Sequence, residues 1–178
     1  MATITVKDKQ FRPYLSVEEI DEAVTKVAKQ INEEFNGQKV LFIAILNGSF
    51  MFASDLLKKI DLECEISFVK IASYSGTKST GKVKKLIGLM QSLEDRNVII
   101  VEDIIDTGNT LDKLLPTLIA ENPKSLKLCS LLFKPEAFKA DFDIHYIGKE
   151  IPNKFILGYG LDYDELGRNL KEIYQIVE

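Results

Sequence analysis
The chain has 178 residues, 46% of them hydrophobic and 28% charged, which suits one folded domain with a full core and argues against wholesale disorder. Its formal net charge of −4 argues against nucleic acid or an anionic membrane as the main partner, and no apolar run reaches the ~18 residues of a membrane span. Cys64 and Cys129 sit in separate apolar runs and the single His145 cannot anchor a His/Cys zinc site, so reduced core thiols in a cytoplasmic protein are expected.

Along the chain, Met1 to Lys9 alternates polar and apolar residues and lacks the apolar core of a signal peptide. Ser16 followed by Glu19 has the form of a capping box. Ile20, Val24, Val27, Ile31 and Phe35 then recur at helical spacing, which predicts a helix with one buried face that stops near Gly37. Lys39 to Leu46 is a continuous apolar run, the pattern of a strand covered on both faces. Asn47-Gly48-Ser49 breaks that run, and Phe50 to Ile60 predicts a short helix. Glu63 to Ala72 reads as a second strand. Ser73 to Lys85 is polar and aperiodic, with two glycines and four lysines, which predicts a mobile loop. Strands are predicted over Leu86–Gln91, Asn97–Val101 and Ser125–Phe133, and a helix over Leu111–Ala120. From Ala137 to Glu178 only short strand-like pieces appear, as in a small lobe set on the sheet. Strands alternating with helices imply an α/β fold with a mostly parallel central sheet flanked by helices.

The segment richest in chemistry is Val98-Ile-Ile-Val-Glu-Asp-Ile-Ile-Asp-Thr-Gly-Asn-Thr110. Four β-branched residues predict a central strand, which two adjacent carboxylates, Glu102 and Asp103, are expected to end. Asp106 to Thr110 then turns the chain into a helix. Ligands of open parallel sheets sit beyond the carboxyl ends of the strands. A small, hydroxyl-rich turn at a helix N-terminus lets several N–H groups point at one phosphate, with ~0.3–1 kcal/mol added by the helix field. Glu102 and Asp103 would repel that phosphate unless they face a diol or a hard cation. A merely capped turn would not account for paired carboxylates beside an apolar strand, where they are costly without partners.

Glu102 to Thr110 resembles the signature of the type I phosphoribosyltransferases, and the chain as a whole is similar to the hypoxanthine and hypoxanthine-guanine members of that family. Leu46-Asn47-Gly48-Ser49 resembles the family's pyrophosphate loop, and Ser73-Tyr74 the start of its closing lid. Lys134 follows a strand as the family's purine-reading lysine does. Phe155-Ile-Leu-Gly-Tyr-Gly-Leu-Asp162-Tyr, with Arg168 six positions later, resembles the base-binding and second-metal segment. The resemblance implies magnesium-dependent transfer from phosphoribosyl pyrophosphate to a 6-oxopurine. It implies that Leu46, Asn47 and Gly48 hold pyrophosphate together with Arg168, and that Asp106, Thr107, Gly108, Asn109 and Thr110 hold the 5-phosphate. Glu102 and Asp103 would hold the ribose hydroxyls, partly through magnesium, with Asp162 orienting a second ion. Asp106 would exchange the proton at purine N7. Lys134 would donate to O6, Phe155 would stack on the ring, and Ile105, the Ile156 backbone and Asp162 would complete the purine pocket. It further implies one domain over 1–178, a hood built mainly from about 137–178 with the N-terminal segment as a candidate contributor, and a homo-oligomer, dimer or tetramer. Asn47 and Asn109 depart from relatives that carry lysine there, which bears on affinity and loop coupling and not on the reaction.

Two other readings compete. A regulator that senses the sugar diphosphate and controls nucleic acid would need a basic surface or an added helix-turn-helix, and this acidic chain has neither. A pyrimidine transferase would share the phosphate turn, but the Lys134 and Phe155 segments favour a purine. Gly158-Tyr-Gly160 lacks the third glycine and following helix of a dinucleotide fingerprint.

Overall fold
The computed structural model describes residues 3–71, 86–89 and 91–177. The predicted lid, Ser73 and Tyr74 included, lies outside the described residues.

Chain order is β1 (Ile4–Val6), β2 (Lys9–Leu15), α1 (Val17–Glu34), β3 (Val40–Leu46), α2 (Phe50–Leu57), β4 (Cys64–Ile71), β5 (Leu86–Ile87), β6 (Asn97–Ile105), α3 (Asn109–Ile119), β7 (Ser125–Phe133), β8 (Tyr146–Glu150), β9 (Ile156–Leu157) and β10 (Ile173–Ile176). A six-stranded sheet has the order β5-β4-β3-β6-β7-β8. Its pairs are parallel except for the short β5, which runs antiparallel to β4. This is the expected mostly parallel α/β sheet. A second, antiparallel sheet has the order β1-β2-β10-β9 and joins the two ends of the chain.

The apolar pattern explains both layers. β3 is buried along its length to Ile45, so it needs cover on both faces. One cover contains Val24, Val27 and Ile31 of α1 with Phe52 and Leu56 of α2. The other contains Leu111, Leu114 and Leu118 of α3. α1 opens with the predicted capping box: the Glu19 N–H donates to Ser16 Oγ at 3.2 Å, and the Ser16 N–H to Glu19 Oε2 at 3.0 Å. No helix among the described residues is long and apolar enough to cross a membrane.

Several boundaries differ from expectation. The segment 137–178 does not all lie in the small sheet, because β8 pairs in parallel with β7 at the edge of the large one. The strand β2 was not foreseen. Its Phe11 and Leu15 are buried, but charged and proline neighbours break the strand pattern. α2 ends at Leu57, before the expected Ile60. The most consequential difference is β6. It runs on to Ile105, so Glu102 and Asp103 stand inside the strand and do not end it.

That extension is one-sided. β3 pairs with β6 only from Asn97 to Val101, whereas β7 stays in register with it to Ile105. Pairing between β3 and β6 therefore stops at Val101. The pleat changes phase in the same stretch. Ile99, Val101 and Ile104 face the α1–α2 core, whereas Val98, Ile100 and Ile105 face the α3 core. Strict alternation would have placed Ile104 with Val98.

Candidate active site
The carboxyl ends of β3, β6 and β7 carry most of the residues singled out from the sequence. After β6, Gly108 takes the left-handed conformation (φ 81°) and caps α3 without any side-chain hydrogen bond to the helix. A Cβ on Gly108 would lie 2.7 Å from the Ala140 Cβ and 2.8 Å from Phe138, so both the turn and its packing require glycine. The Thr107 hydroxyl reaches only the Asn109 N–H, at 3.4 Å. A cavity of about 100 Å³ lies against this helix start, lined by Glu102, residues 104–108, Asn109, Thr110 and Leu111. N–H groups at a helix N-terminus beside a small cavity are of the kind that can receive an anion.

Glu102 enters this cavity from the strand. The residue as a whole is partly exposed, yet its Oε2 is sealed from solvent and has no hydrogen-bond partner. Burial, reinforced by the neighbouring Asp103 charge, pushes its carboxyl well above the usual range. Asp103 is raised to about 6, again chiefly by burial; backbone amides and Arg168 pull it down while Asp162 pushes it up. Its carboxylate lies against Gly48, where a Cβ would fall 1.8 Å from Asp103 Oδ2. Glu102 thus lines the α3 cavity, and Asp103 lies against the loop at Gly48.

Gly48 is also the floor for the last segment. A Cβ on Gly160 would lie 2.1 Å from the Gly48 carbonyl oxygen. Leu46-Asn47 is a cis peptide bond at the head of this loop, and the Ser49 hydroxyl donates back to the Ile45 carbonyl at 2.6 Å. Arg168 donates to the Gly160 carbonyl at 2.8 Å and pairs with Asp162 at 2.7 Å. The Glu165 N–H donates to the other Asp162 oxygen at 2.8 Å. Asp162 and Arg168 are therefore brought together as a pair.

Lys134 is 6% exposed, deep for a lysine. Its N–H donates to the Ile105 carbonyl at 3.0 Å and its carbonyl accepts from the Ala137 N–H, so the backbone is pinned on both sides. Its ammonium contacts Asp106 Oδ2 at 2.9 Å. This pairing was not read from the sequence, where the two residues stand 28 positions apart. An ammonium has three donors and this contact uses one.

Phe155 is 43% exposed, unusual for so large an apolar ring. It rests on Phe11 and Tyr163, with centroids 6.2 and 5.8 Å away. Next to it, the Ile176 N–H donates to the Phe155 carbonyl at 3.0 Å. Ile156 then stands opposite Gln175 in a non-bonded position of the ladder. Since β9 is an edge strand, the Ile156 N–H and carbonyl face outward.

Among the described residues, no three His, Cys, Asp or Glu side chains gather as a ready-made metal cage. What the site does hold is one buried hard oxygen donor, Glu102 Oε2, without a partner among the described residues. That suits an ion that keeps several waters and takes its other ligands from a bound diphosphate. Roomier hollows elsewhere lack such a feature. One of about 480 Å³ beside α1 is lined by Asn32, Lys59 and Asp61, whose polar groups already satisfy one another or Asp21.

Comparison with known proteins agrees with this geometry. The phosphoribosyl transferase domain family matches residues 16–164. A hypoxanthine-guanine phosphoribosyltransferase of Staphylococcus aureus is 42% identical over 160 residues, 89% of each chain. Among solved structures, a Bacillus anthracis hypoxanthine-guanine phosphoribosyltransferase with a HEPES molecule in its active site superposes with a TM-score of 0.83 at 42% identity, covering 93% of this chain and 98% of that one. The hypoxanthine phosphoribosyl transferase of Trypanosoma cruzi gives a TM-score of 0.86 at 33% identity, covering 98% and 95%. With the matched domain spanning sheet and site alike, the chain belongs to the phosphoribosyl transferase family, among the hypoxanthine-guanine enzymes of purine salvage.

Proposed function
We propose that the enzyme transfers the 5-phosphoribosyl group from phosphoribosyl pyrophosphate to N9 of hypoxanthine, and of guanine, releasing pyrophosphate. The observation that carries this reading is the Lys134–Asp106 pair, 2.9 Å apart beside the α3 cavity. It puts a pinned donor and a carboxylate acceptor side by side, the complement of O6 and the N7 proton of a 6-oxopurine. Adenine presents an amino group where the ammonium also donates, so it is rejected.

In the reaction, the bond from the ribose anomeric carbon to the pyrophosphate oxygen breaks and a bond to N9 forms. The N7 proton of the base passes to Asp106, whose carboxylate also favours the positive charge that develops on the ribose. The turn of residues 106–110 at the start of α3 holds the 5-phosphate, and Leu46, Asn47, Gly48 and Arg168 hold the pyrophosphate. Phe155 offers its exposed face to the purine ring, with the outward backbone of Ile156 at the pyrimidine edge and Ile105 and Asp162 completing the pocket. Glu102 and Asp103 would hold magnesium with the ribose hydroxyls, and Asp162, already bonded to Arg168, would act on a second ion through water. Magnesium bound there neutralises the leaving pyrophosphate. Ser73 and Tyr74 would close over the site, and the enzyme would work in the cytoplasm as a homo-oligomer.

The test is to incubate the pure protein with magnesium, phosphoribosyl pyrophosphate and one base at a time. Nucleotide should form with hypoxanthine and guanine and fail to form with adenine, orotate or uracil. Thorough chelation should stop it. Product from a pyrimidine, or none from any base, would overturn the assignment.

A further inference from the structure
The exposed platform Phe155 is not held by the large sheet. Its ring meets Tyr163 edge to face, with centroids 5.8 Å apart and planes at 82°, and Phe11 at 6.2 Å. Phe11 is wholly buried, so it is fixed by its surroundings. Tyr163 is not. It is partly exposed and begins a tight turn, closed by reciprocal bonds between Tyr163 and Leu166, with Asp164 and Glu165 both at positive φ. Besides Phe155 the ring packs on Phe11, with centroids 6.1 Å apart, and its hydroxyl end is held separately.

What fixes it comes from the opposite end of the chain. The Tyr163 hydroxyl donates to Asp8 Oδ1 at 2.8 Å, and the next residue, Asp164, pairs with Lys7 at 2.8 Å. Lys7 and Asp8 form the turn between β1 and β2, and Lys7 itself has positive φ. Two consecutive residues of one turn thus grip two consecutive residues of the other. We propose that Tyr163 is a positioning residue for the purine platform, and that the Lys7–Asp8 turn is the clasp that holds it. Tyr163 acts through Phe155. By setting the angle of that ring it decides how well a flat base stacks, and so tunes base affinity without touching the proton transfer at Asp106. The inference rests on the reading of Phe155 as the base platform given above.

Kinetics with hypoxanthine and phosphoribosyl pyrophosphate test it. Loss of an aromatic edge-to-face pair corresponds to roughly a three- to tenfold change, so Tyr163→Leu should raise the base KM by about that factor. Its kcat and its KM for the sugar diphosphate should stay within about twofold of the parent. Tyr163→Phe keeps the ring but loses the clasp, so it should raise the base KM as much as Asp8→Ala does and less than Tyr163→Leu. Asp8→Ala should raise the base KM in the parent and leave it unchanged in the Tyr163→Phe background, because only a hydroxyl can be clasped. That cycle also serves if Tyr163→Leu does not fold. An unchanged base KM in Tyr163→Leu, an equal change in all three constants, or additive effects of Asp8→Ala and Tyr163→Phe would each overturn the proposal. Phe155→Leu separates the two levels. If it leaves the base KM unchanged, the platform reading itself fails; if it raises the KM and Tyr163→Leu does not, only the positioning role fails.

Discussion

The two longest helices begin in opposite ways. α1 satisfies its own first turn: Ser16 and Glu19 exchange bonds, and Glu18 and Glu19 place negative charge where the helix field favours it. α3 begins at a left-handed glycine that has no side chain to cap it, next to a cavity that Glu102 lines. One end is finished by the chain itself and contributes stability. The other is left for a ligand to finish. A helix start that looks poorly made by the rules of stability is, in this position, where the proposed 5-phosphate would sit.

Substitutions can break or sharpen that contrast. The largest effect is expected at the open end. Asp106→Asn, which removes the carboxylate between β6 and α3, should lower kcat by ~10²–10⁴, with smaller effects on substrate KM. Stability should fall as well, because the variant leaves the buried Lys134 ammonium without its carboxylate partner. Steady-state assays beside thermal melts check both, and turnover near the parent's would remove Asp106 from the chemistry.

Asp103 should show the contrast in sign. Burial raises its carboxyl from 3.8 to about 6, so between those values the folded protein holds a proton that the unfolded chain has lost. Stability therefore falls as pH rises through this window and is lowest, as far as this group decides, above about pH 6. Asp103→Asn should remove that fall and stabilise the ligand-free protein at pH 7 by roughly 1–3 kcal/mol, while abolishing most transfer. Denaturant melts from pH 4 to 8 give the slope. A parent and variant with parallel profiles would show that Asp103 ionises freely.

The smallest effect belongs to the closed end. Ser16→Ala should cost ~1 kcal/mol, about 2–4 °C in Tm, and leave kcat/KM unaltered. An activity loss there would mean that α1's start reaches the site after all.

Which parts of this were readable in the residues follows from the range of the forces involved. Local and periodic features were legible: the Ser16–Glu19 box, the buried run of β3, and the strand-turn-helix from Val98 to Thr110. The mostly parallel sheet followed from their alternation. The end of β6 was misplaced because a carboxylate pair looks like the close of an apolar strand, and only pairing with β7 carries the strand past it. β2 was hidden for the same reason, since its partner β10 lies far off in sequence, whereas β8 was read only as a strand-like piece of the small lobe. Candidate residues were found through a motif, but their mutual arrangement was not. The grip of Lys134 on Asp106, the contact of Asp103 with Gly48 and the clasp on Tyr163 each join segments whose spacing carries no period. Gly48 and Gly160 offered one usable signal: glycines next to charged motifs mark close backbone approach.

The end of pairing between β3 and β6 at Val101 has a consequence in time as well as in space. Amides from Asn97 to Val101 have a strand on either side and exchange with solvent deuterium only when the whole sheet opens. From Glu102 to Ile105 only β7 remains, so this half of the same strand can exchange through local opening, at rates set by a smaller free energy. A single strand thus carries two clocks, a slow one in the core and a fast one over the site. A ligand that ties this half to the loop at Gly48 more firmly than the Asp103 contact does would bring the fast one back toward the slow.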